Sequence, residues 1–187
     1  MAQKLRINTI VFLVALLSSI SIVANSLSWD NAKWIWQEEA GPANTWVAFR
    51  KSFNLNTIPK TALANIAVDT KYWLWINGEM VLFEGGLARG AAPNTNYYDE
   101  VDLKPYLNEG ENTIAILVWY WGRTRKVHDD SGKGGLLFFA NLDEPKIHSD
   151  KTWKMKVHPA FDPKSGGGGR SANRVNAYNV RFDANKA

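Results

Sequence analysis

Several acidic stretches of this chain carry carboxylates that could bind a metal ion or act in catalysis. The densest of them holds Asp99, Glu100 and Asp102. Calcium binds about six to eight oxygen ligands, and carboxylates in a loop of a β-sheet protein can supply several of them. The regular spacing of a calcium-binding loop is absent here. We therefore keep a calcium site as the alternative and favour the simpler interpretation, in which Asp99 or Asp102 caps the following turn through its side chain.

The remaining acidic residues and the histidines show no catalytic pattern. The adjacent acidic pairs are residues 38–39, 129–130 and 143–144. Glycoside hydrolysis needs two carboxylates on opposite sides of a cleft, whereas neighbouring carboxylates in polar stretches are usually solvated. The histidines, His128, His148 and His158, are not at metal-ligand spacing, and the Gly-x-Ser-x-Gly motif of a serine nucleophile is absent. We predict no catalytic residues in this chain.

Aromatic residues are the strongest chemical feature, with 9 Trp, 6 Tyr and 8 Phe. Trp73 and Trp75 lie on one face of a predicted strand, and Trp119 and Trp121 share a face of another. An aromatic side chain buries about 150–250 Å², so a ring at the centre of a strand usually belongs to the core. We therefore predict core positions for the tryptophans at strand centres.

Rings at strand ends and in loops have a different use, because a flat ring with polar neighbours can stack on the C–H face of a sugar. A long loop from residue 84 to residue 96, together with the strand ends beside it, holds such a set. The candidate carbohydrate-binding residues chosen in this way are Arg89, Asn94, Asn96, Tyr97 and Trp121. Loops of this length are usually functional or disordered.

The elements that must position these residues are strands. Alternating or β-branched runs predict strands at 33–36, 45–53, 62–68, 72–76, 79–83, 97–103, 113–121, 135–142, 152–157 and 178–182. The pair Asn77-Gly78 is the one that a two-residue hairpin turn prefers. Residues 57–67 are the one plausible helix and compete with a strand. The pattern indicates an all-β fold, an antiparallel β-sandwich or jelly roll.

Two of these runs, residues 72–76 and 114–121, are apolar on both faces. A strand with one face in water would alternate, so both runs are predicted to be central strands that are covered on both sides. Another domain is one candidate for the second cover.

Residues 1–26 have the pattern of a secretory signal peptide. Lys4 and Arg6 form a positive start, and an unbroken apolar run follows from Ile10 to Leu17. The alternative is a retained membrane anchor over residues 7–24, which is marginal in length for a bilayer. We expect an exported protein, in the periplasm or outside the cell.

Length and composition restrict the class further. The 187 residues fit one domain, which we predict over 27–187. The composition, with 45% hydrophobic and 21% charged residues, excludes a disordered chain. The absence of cysteine excludes disulfides and thiolate metal sites. Loss of the signal peptide lowers the net charge of +4 by two, which argues against a nucleic-acid partner. The chain stops five residues after Phe182, so we expect truncation at the C-terminus as one alternative.

Several segments together resemble a known family. Residues 69–78 resemble a hairpin of galactose-binding-like jelly rolls that occur in many glycosidases. The segments Leu87-Ala88-Arg89-Gly90, Tyr97 to Leu103, Tyr106-Leu107 and Gly110 to Ile114 follow in the order seen in the N-terminal β-sandwich region of bacterial α-L-rhamnosidases. The resemblance covers most of residues 29–187 and implies a galactose-binding-domain-like sandwich.

The resemblance implies a carbohydrate partner but no hydrolysis by this chain. Enzymes of the family remove terminal rhamnose from plant glycans with carboxylates on a separate helical domain. Some members bind rhamnose through calcium in the sandwich, at positions that correspond to Asp69, Thr70 and Asn96. Asp69 keeps the acid and, with Asp99, is the candidate metal ligand, whereas Thr70 replaces an amide and Asn96 replaces a stacking ring. The alternatives are a structural sandwich that packs on a catalytic glycosidase domain and a protein-partner or adhesion module.

Overall fold

The computed structural model describes residues 29–37, 41–86, 97–124, 128–166 and 178–187. The strands in these ranges are β1 (Thr45–Leu55), β2 (Leu63–Asp69), β3 (Lys71–Ile76), β4 (Glu79–Gly86), β5 (Asp99–Asp102), β6 (Gly110–Tyr120), β7 (Gly135–Asn141), β8 (Lys146–His148) and β9 (Lys154–Val157). Helical structure in these ranges is limited to 3₁₀ turns at Lys104–Tyr106 and Ala184–Lys186.

The strands form two antiparallel sheets that face each other. One sheet has five strands in the order β4-β3-β6-β1-β9, and the other has four in the order β5-β2-β7-β8. Every strand pair is antiparallel. The predicted all-β sandwich is therefore confirmed.

The core lies between the sheets and follows the alternation of the sequence. On β1, Val47, Phe49 and Phe53 point inward and are buried, while Arg50 on the opposite face is exposed. The side chains of β3 and β6 that share this core are Tyr72, Leu74, Ile76, Ile114, Ile116 and Val118.

The outer face of the five-stranded sheet carries a second apolar cluster of Trp46, Trp73, Trp119, Trp121 and Tyr178. The central position of β3 and β6, with cover on both faces, is thus confirmed. The chain itself supplies much of the second cover. The core positions predicted for the strand-centre tryptophans hold for Trp73 and Trp119, which are buried, whereas Trp75 is half-buried.

The C-terminal part of the chain is fastened over this cluster through Asn44, which is buried. Asn44 Oδ1 accepts a hydrogen bond from Trp119 Nε1 at 2.9 Å. Its Nδ2 donates to Ser165 Oγ at 3.2 Å and to the Pro163 carbonyl at 3.1 Å. Phe161 stacks on Trp46 with 3.9 Å between the ring centroids. Residues 158–166 therefore belong to the fold of the sandwich.

The hairpin predicted at Asn77-Gly78 is confirmed. Both residues have positive φ, 53° and 84°, as the favoured two-residue turn requires. Asn77 also ties the turn to its surroundings, because its Nδ2 donates to the Tyr106 carbonyl and its Oδ1 accepts from Thr113 N.

Four secondary-structure predictions need correction or completion. Residues 33–36 and 178–182 are not strands, since each segment makes one isolated bridge, Ile35 to Leu136 and Phe182 to Phe161. The helix considered for 57–67 is wrong, because most of that stretch is β2 and Ala64, Ile66 and Val68 alternate into the core. The short strand β8 was not predicted. Such short elements depend on tertiary contacts, which periodicity does not reveal.

Among the described residues, no helix has the length and hydrophobicity needed to cross a membrane. The segment 1–26, interpreted as a signal peptide or alternatively as part of an anchor, lies outside the described residues.

Candidate functional site

Asp69 is the centre of a buried polar cluster where β2 ends. Its Oδ1 accepts a hydrogen bond from Thr70 Oγ1 at 2.7 Å and lies 3.0 Å from His128 Nε2. Its Oδ2 accepts a hydrogen bond from the backbone N–H of Ser131 at 2.9 Å. Asp69, Thr70 and His128 are buried. Both carboxylate oxygens of Asp69 are therefore engaged by protein groups.

Thr70 connects this cluster to the end of β6. Its Oγ1 accepts a hydrogen bond from Trp121 N at 3.1 Å, and its backbone N–H donates to the Trp119 carbonyl at 3.2 Å. The Trp121 ring is fully buried and makes edge contacts with Trp119 and His128, at centroid distances of 5.6 and 6.0 Å. Trp121 thus presents no ring face to solvent in this structure.

Asp130 completes the cluster and has spare hydrogen-bonding capacity. One ligand atom from each of Asp69, His128 and Asp130 lies within 4.8 Å of the others. The Oδ1 atom of Asp130 is buried without a hydrogen-bond partner among the described residues, which is costly for a carboxylate. Its backbone N–H donates to Thr124 Oγ1.

The pKa values of the two carboxyl groups in the cluster are shifted in opposite directions. Burial raises the pKa of Asp130, and the nearby Asp69 charge raises it further. Burial also acts to raise the pKa of Asp69, but hydrogen bonds from His128 and Ser131 hold it below its ordinary value. Burial and the charges of Asp130 and Asp69 raise the pKa of Tyr120 to about 12.

A shallow pocket at the rim of the sandwich shares His128 with this cluster. Its other lining residues are Ile66, Val68, Gly86, Tyr97, Tyr98 and Asp99. Tyr97 and Tyr98 are 54% and 44% exposed. Asp99 Oδ2 accepts a hydrogen bond from Gly86 N at 2.9 Å, which fixes the start of β5 beside the end of β4. We call these lining residues the rim pocket.

The structure thus brings several predicted site residues to one end of the sandwich. Asp69 and Thr70 lie in the buried cluster, Tyr97 and Asp99 line the rim pocket, and Trp121 packs behind them. Arg89, Asn94 and Asn96 lie outside the described residues, as does most of the long loop. Their roles in sugar binding stay predictions.

The turn-capping interpretation of the acidic cluster is confirmed for Asp102, whose Oδ1 accepts a hydrogen bond from Lys104 N at 3.0 Å. Sequence reasoning missed His128, Asp130 and Ser131 as members of the site. Asp130 was considered only as half of an adjacent acidic pair. The signal available was a short polar run containing a histidine, directly between two predicted strands.

The calcium ion implied by the family resemblance does not match the described residues of this cluster. Calcium prefers about six to eight oxygen ligands. Here Asp69 already accepts hydrogen bonds through both oxygens, and its neighbour in the cluster is an imidazole. A histidine with two carboxylates is a donor set that suits zinc-like ions better.

Comparisons with known proteins agree with this architecture. No family model matches the chain. A rhamnosidase of Bacillus sp. GL1 is similar in structure, with 30% identity, a TM-score of 0.63, and cover of 71% of this chain and 14% of that one. The lectin of Pleurotus ostreatus shares the fold, with 20% identity, a TM-score of 0.52, and cover of 83% of this chain and 41% of that one.

A shorter similarity connects the chain to a β-galactosidase of Priestia megaterium, at 36% identity over 62 residues, or 33% of this chain and 5% of that enzyme. The chain therefore spans a small part of the enzymes that it resembles. Its resemblance to a β-sandwich region of α-L-rhamnosidases is confirmed by the structural neighbours.

Proposed function

We propose that this chain is a non-catalytic carbohydrate-binding domain of an exported, α-L-rhamnosidase-like protein that acts on plant glycans. The observation that carries the proposal is the rim pocket, in which the exposed rings of Tyr97 and Tyr98 lie beside the carboxylate of Asp99. The similarity to a rhamnosidase and the fold shared with a lectin support it.

The rim pocket itself is small, about 20 Å³, so a pyranose would lie across its exposed rim and direct a hydroxyl into the opening. Tyr97 offers an apolar ring face to the C–H side of the sugar and a hydroxyl at its edge. The carboxylate of Asp99, which lines the pocket, is an acceptor for the hydroxyl donors of a sugar. The hydrogen bond from Gly86 N to Asp99 Oδ2 holds this carboxylate in place before a ligand arrives, so little ordering of it is needed on binding.

Titration of the chain with L-rhamnose and with a rhamnose-containing oligosaccharide, followed by calorimetry, tests the proposal. We expect saturable binding that Tyr97→Ala and Asp99→Asn each weaken at least about tenfold, since such groups act as anchors in small sites. Phe83→Ala is the matched control, because Phe83 is also an exposed ring, 69% accessible, but does not line the rim pocket. Absence of binding with or without added calcium would overturn the proposal.

Export is the second part of the proposal, and the charged start and apolar run of residues 1–26 support it. A fusion of residues 1–26 to a reporter enzyme that is active only outside the cytoplasm tests it. We expect reporter activity, and substitution of Val14→Arg in the apolar run should abolish it. An inactive fusion with the unaltered segment would contradict export.

A specific observation also favours a second candidate function, in which the sandwich packs on a catalytic domain. Beside the buried tryptophans, the five-stranded sheet exposes Met80 and Phe83, at 46% and 69%, and leaves Trp75 half-buried. Apolar patches of this kind commonly mark interfaces. Under this alternative the chain self-associates in sedimentation experiments and Phe83→Ser makes it monomeric, whereas a monomer from the start would count against it.

A further inference from the structure

A second cleft lies between the N-terminal segment and the residues that follow β8. It is lined by Asn31, Lys33, Trp34, Ile35, Trp36, His148, Asp150, Lys151 and Met155. None of these residues lines the rim pocket. We infer that this cleft is a second saccharide-binding site, which recognises a pyranose ring through Trp34, His148 and Asp150.

The walls of the cleft are fixed by hydrogen bonds before any ligand binds. Lys33 N donates to the Ser149 carbonyl at 2.7 Å, and Ser149 Oγ donates to the Lys33 carbonyl at 2.6 Å. Ile35 and Leu136 exchange backbone hydrogen bonds at 2.9 and 3.0 Å. Ser149 is fully buried, so water does not compete for these bonds. A preformed cleft is the usual form of a small-molecule site.

Trp34 supplies the flat surface. Its side chain is 48% exposed, which is unusual for a tryptophan in a closely hydrogen-bonded segment. The ring rests on the backbone of Gly135, where a Cβ atom would lie 2.7 Å from ring carbon Cε3. Glycine at this position therefore allows the indole to lie close against β7. An indole that is held in place and open to solvent is a platform for the C–H face of a sugar.

His148 and Asp150 supply the polar groups. Asp150 Oδ1 accepts hydrogen bonds from the N–H and the hydroxyl of Thr152, at 2.8 and 2.5 Å. The second oxygen, Oδ2, lies 3.5 Å from His148 Nε2 and is the one left to accept from a ligand hydroxyl. His148 Nδ1 is buried without a hydrogen-bond partner among the described residues. The imidazole lines the cleft and places its Nε2 beside Asp150 Oδ2.

The charge at the cleft refines the ligand class. Lys33 and Lys151 are exposed, and among the described lining residues these two cations outnumber the single carboxylate, Asp150. A sugar that carries a carboxylate gains a charge-assisted contact here, whereas a neutral pyranose uses the same ring and hydroxyl contacts. D-galacturonate and L-rhamnose are therefore suitable probes, the first as a pyranose that carries a carboxylate and the second as a neutral pyranose.

The test is titration of the ¹⁵N-labelled chain with D-galacturonate and, separately, with L-rhamnose, followed by two-dimensional nuclear magnetic resonance. We expect saturable shifts of the Trp34 indole N–H and of the Lys151 backbone signal with at least one of the sugars. Trp34→Ala should weaken this binding at least about tenfold, and Asp150→Asn, which keeps an oxygen acceptor for Thr152, should weaken it less. Phe83→Ala, which also removes an exposed ring, should leave it unchanged.

Failure of this inference is distinguishable from failure of the proposed function, because no described residue lines both sites. Binding that Tyr97→Ala removes but Trp34→Ala leaves intact, or the lack of saturable shifts at Trp34 with both sugars, would overturn the second site. Binding that Trp34→Ala removes and Tyr97→Ala leaves intact would establish it even if the rim pocket were inert.

Discussion

Two neighbouring regions at one end of the sandwich use polar and aromatic residues in opposite ways. In the tryptophan stack, which we define as Trp46 with the three rings around it, the centroid of the Trp46 ring lies 4.5 Å from that of Trp119, 5.2 Å from that of Trp73 and 3.9 Å from that of Phe161. Nearly parallel planes at these distances leave no room for a ligand between the rings. Even the polar atom of Trp119 is used, because its Nε1 donates to Asn44.

The Asp69 cluster is as deeply buried, and both regions keep buried polar atoms without partners among the described residues, Trp121 Nε1 and Tyr178 OH in the tryptophan cluster. Asp130 Oδ1 and His128 Nδ1 are buried without hydrogen-bond partners among the described residues. The two regions differ in access, because the Asp69 cluster adjoins the rim pocket through His128, whereas Phe161 covers the Trp46 ring. The most aromatic surface of this molecule is structural, and the candidate sites lie at its edges.

Removal of a ring from the tryptophan stack should have the largest effect on stability. Trp119→Ala takes away a buried ring and leaves Asn44 Oδ1 without its donor, so we expect a loss of about 3–5 kcal/mol in the free energy of unfolding. Urea denaturation measures it, with the exposed Trp34→Ala as control. A loss of similar size in both variants would mean that the stack does not differ from a surface ring.

Disruption of the Asp69 cluster should rank second. Asp69→Ala removes the acceptor of His128, Thr70 and Ser131, and loss of one partner from a buried polar set costs about 3 kcal/mol. Because the pKa of Asp69 is lowered in the fold, its contribution is present above the ordinary value of 3.8 and is lost as the pH falls through the folded value.

The same denaturation measurement, repeated from neutral to acid pH, separates this effect from simple loss of packing. The difference between wild type and Asp69→Ala should shrink as the pH falls. Asp129→Ala, which changes the exposed neighbour of Asp130, serves as control and should change stability by less than about 0.5 kcal/mol. A constant difference at all pH values would argue against the ionised carboxylate.

Loss of the Thr70 hydroxyl, which connects the two regions, should have an intermediate effect on the free energy of unfolding. Thr70→Val removes the hydroxyl that accepts from Trp121 N and donates to Asp69, at nearly unchanged volume. A buried N–H left without an acceptor costs about 1–3 kcal/mol, so we expect a loss in that range by thermal or urea denaturation. Thr70→Ser restores the hydroxyl and should recover most of the loss; failure to recover it would assign the effect to packing.

Asp130→Asn should have the smallest effect and the opposite sign. The raised pKa of Asp130 means that ionising it costs stability as the pH rises from 3.8 through its folded value. The amide removes this cost, so the variant should be more stable than wild type at neutral pH by less than about 1 kcal/mol. The gain should vanish in acid, and a loss at neutral pH would show that the carboxylate is better paired than its unpartnered Oδ1 indicates.

The sequence predicted those parts of the fold that local patterns encode. The Asn77-Gly78 turn and the doubly apolar runs of β3 and β6 were recognisable because turn chemistry and periodicity act over a few residues. The bridge between Phe161 and Phe182 was mistaken for part of a strand because an apolar run does not say what it pairs with.

The candidate site was predictable only in part. Asp69 and Tyr97 came from a resemblance and from a loop position, respectively. His128 and Trp34 escaped, because each becomes notable only through a neighbour that is distant in the chain: Asp69 is 59 residues from His128, and Gly135 lies under the Trp34 ring. Contacts of that kind depend on the register of the sheets, which periodicity leaves open.

Asn44 has a practical consequence for anyone who shortens this protein. Its side chain hydrogen-bonds both to Ser165, after β9, and to the indole of Trp119. A polypeptide that ended at Val157 would therefore lose the hydrogen bond to Ser165 and the Phe161 ring that stacks on Trp46. The apolar cluster of Trp46, Trp73, Trp119 and Trp121 would then lose part of its cover and expose apolar surface to water. We expect such a truncated protein to aggregate during expression, even though it would contain every strand of the sandwich.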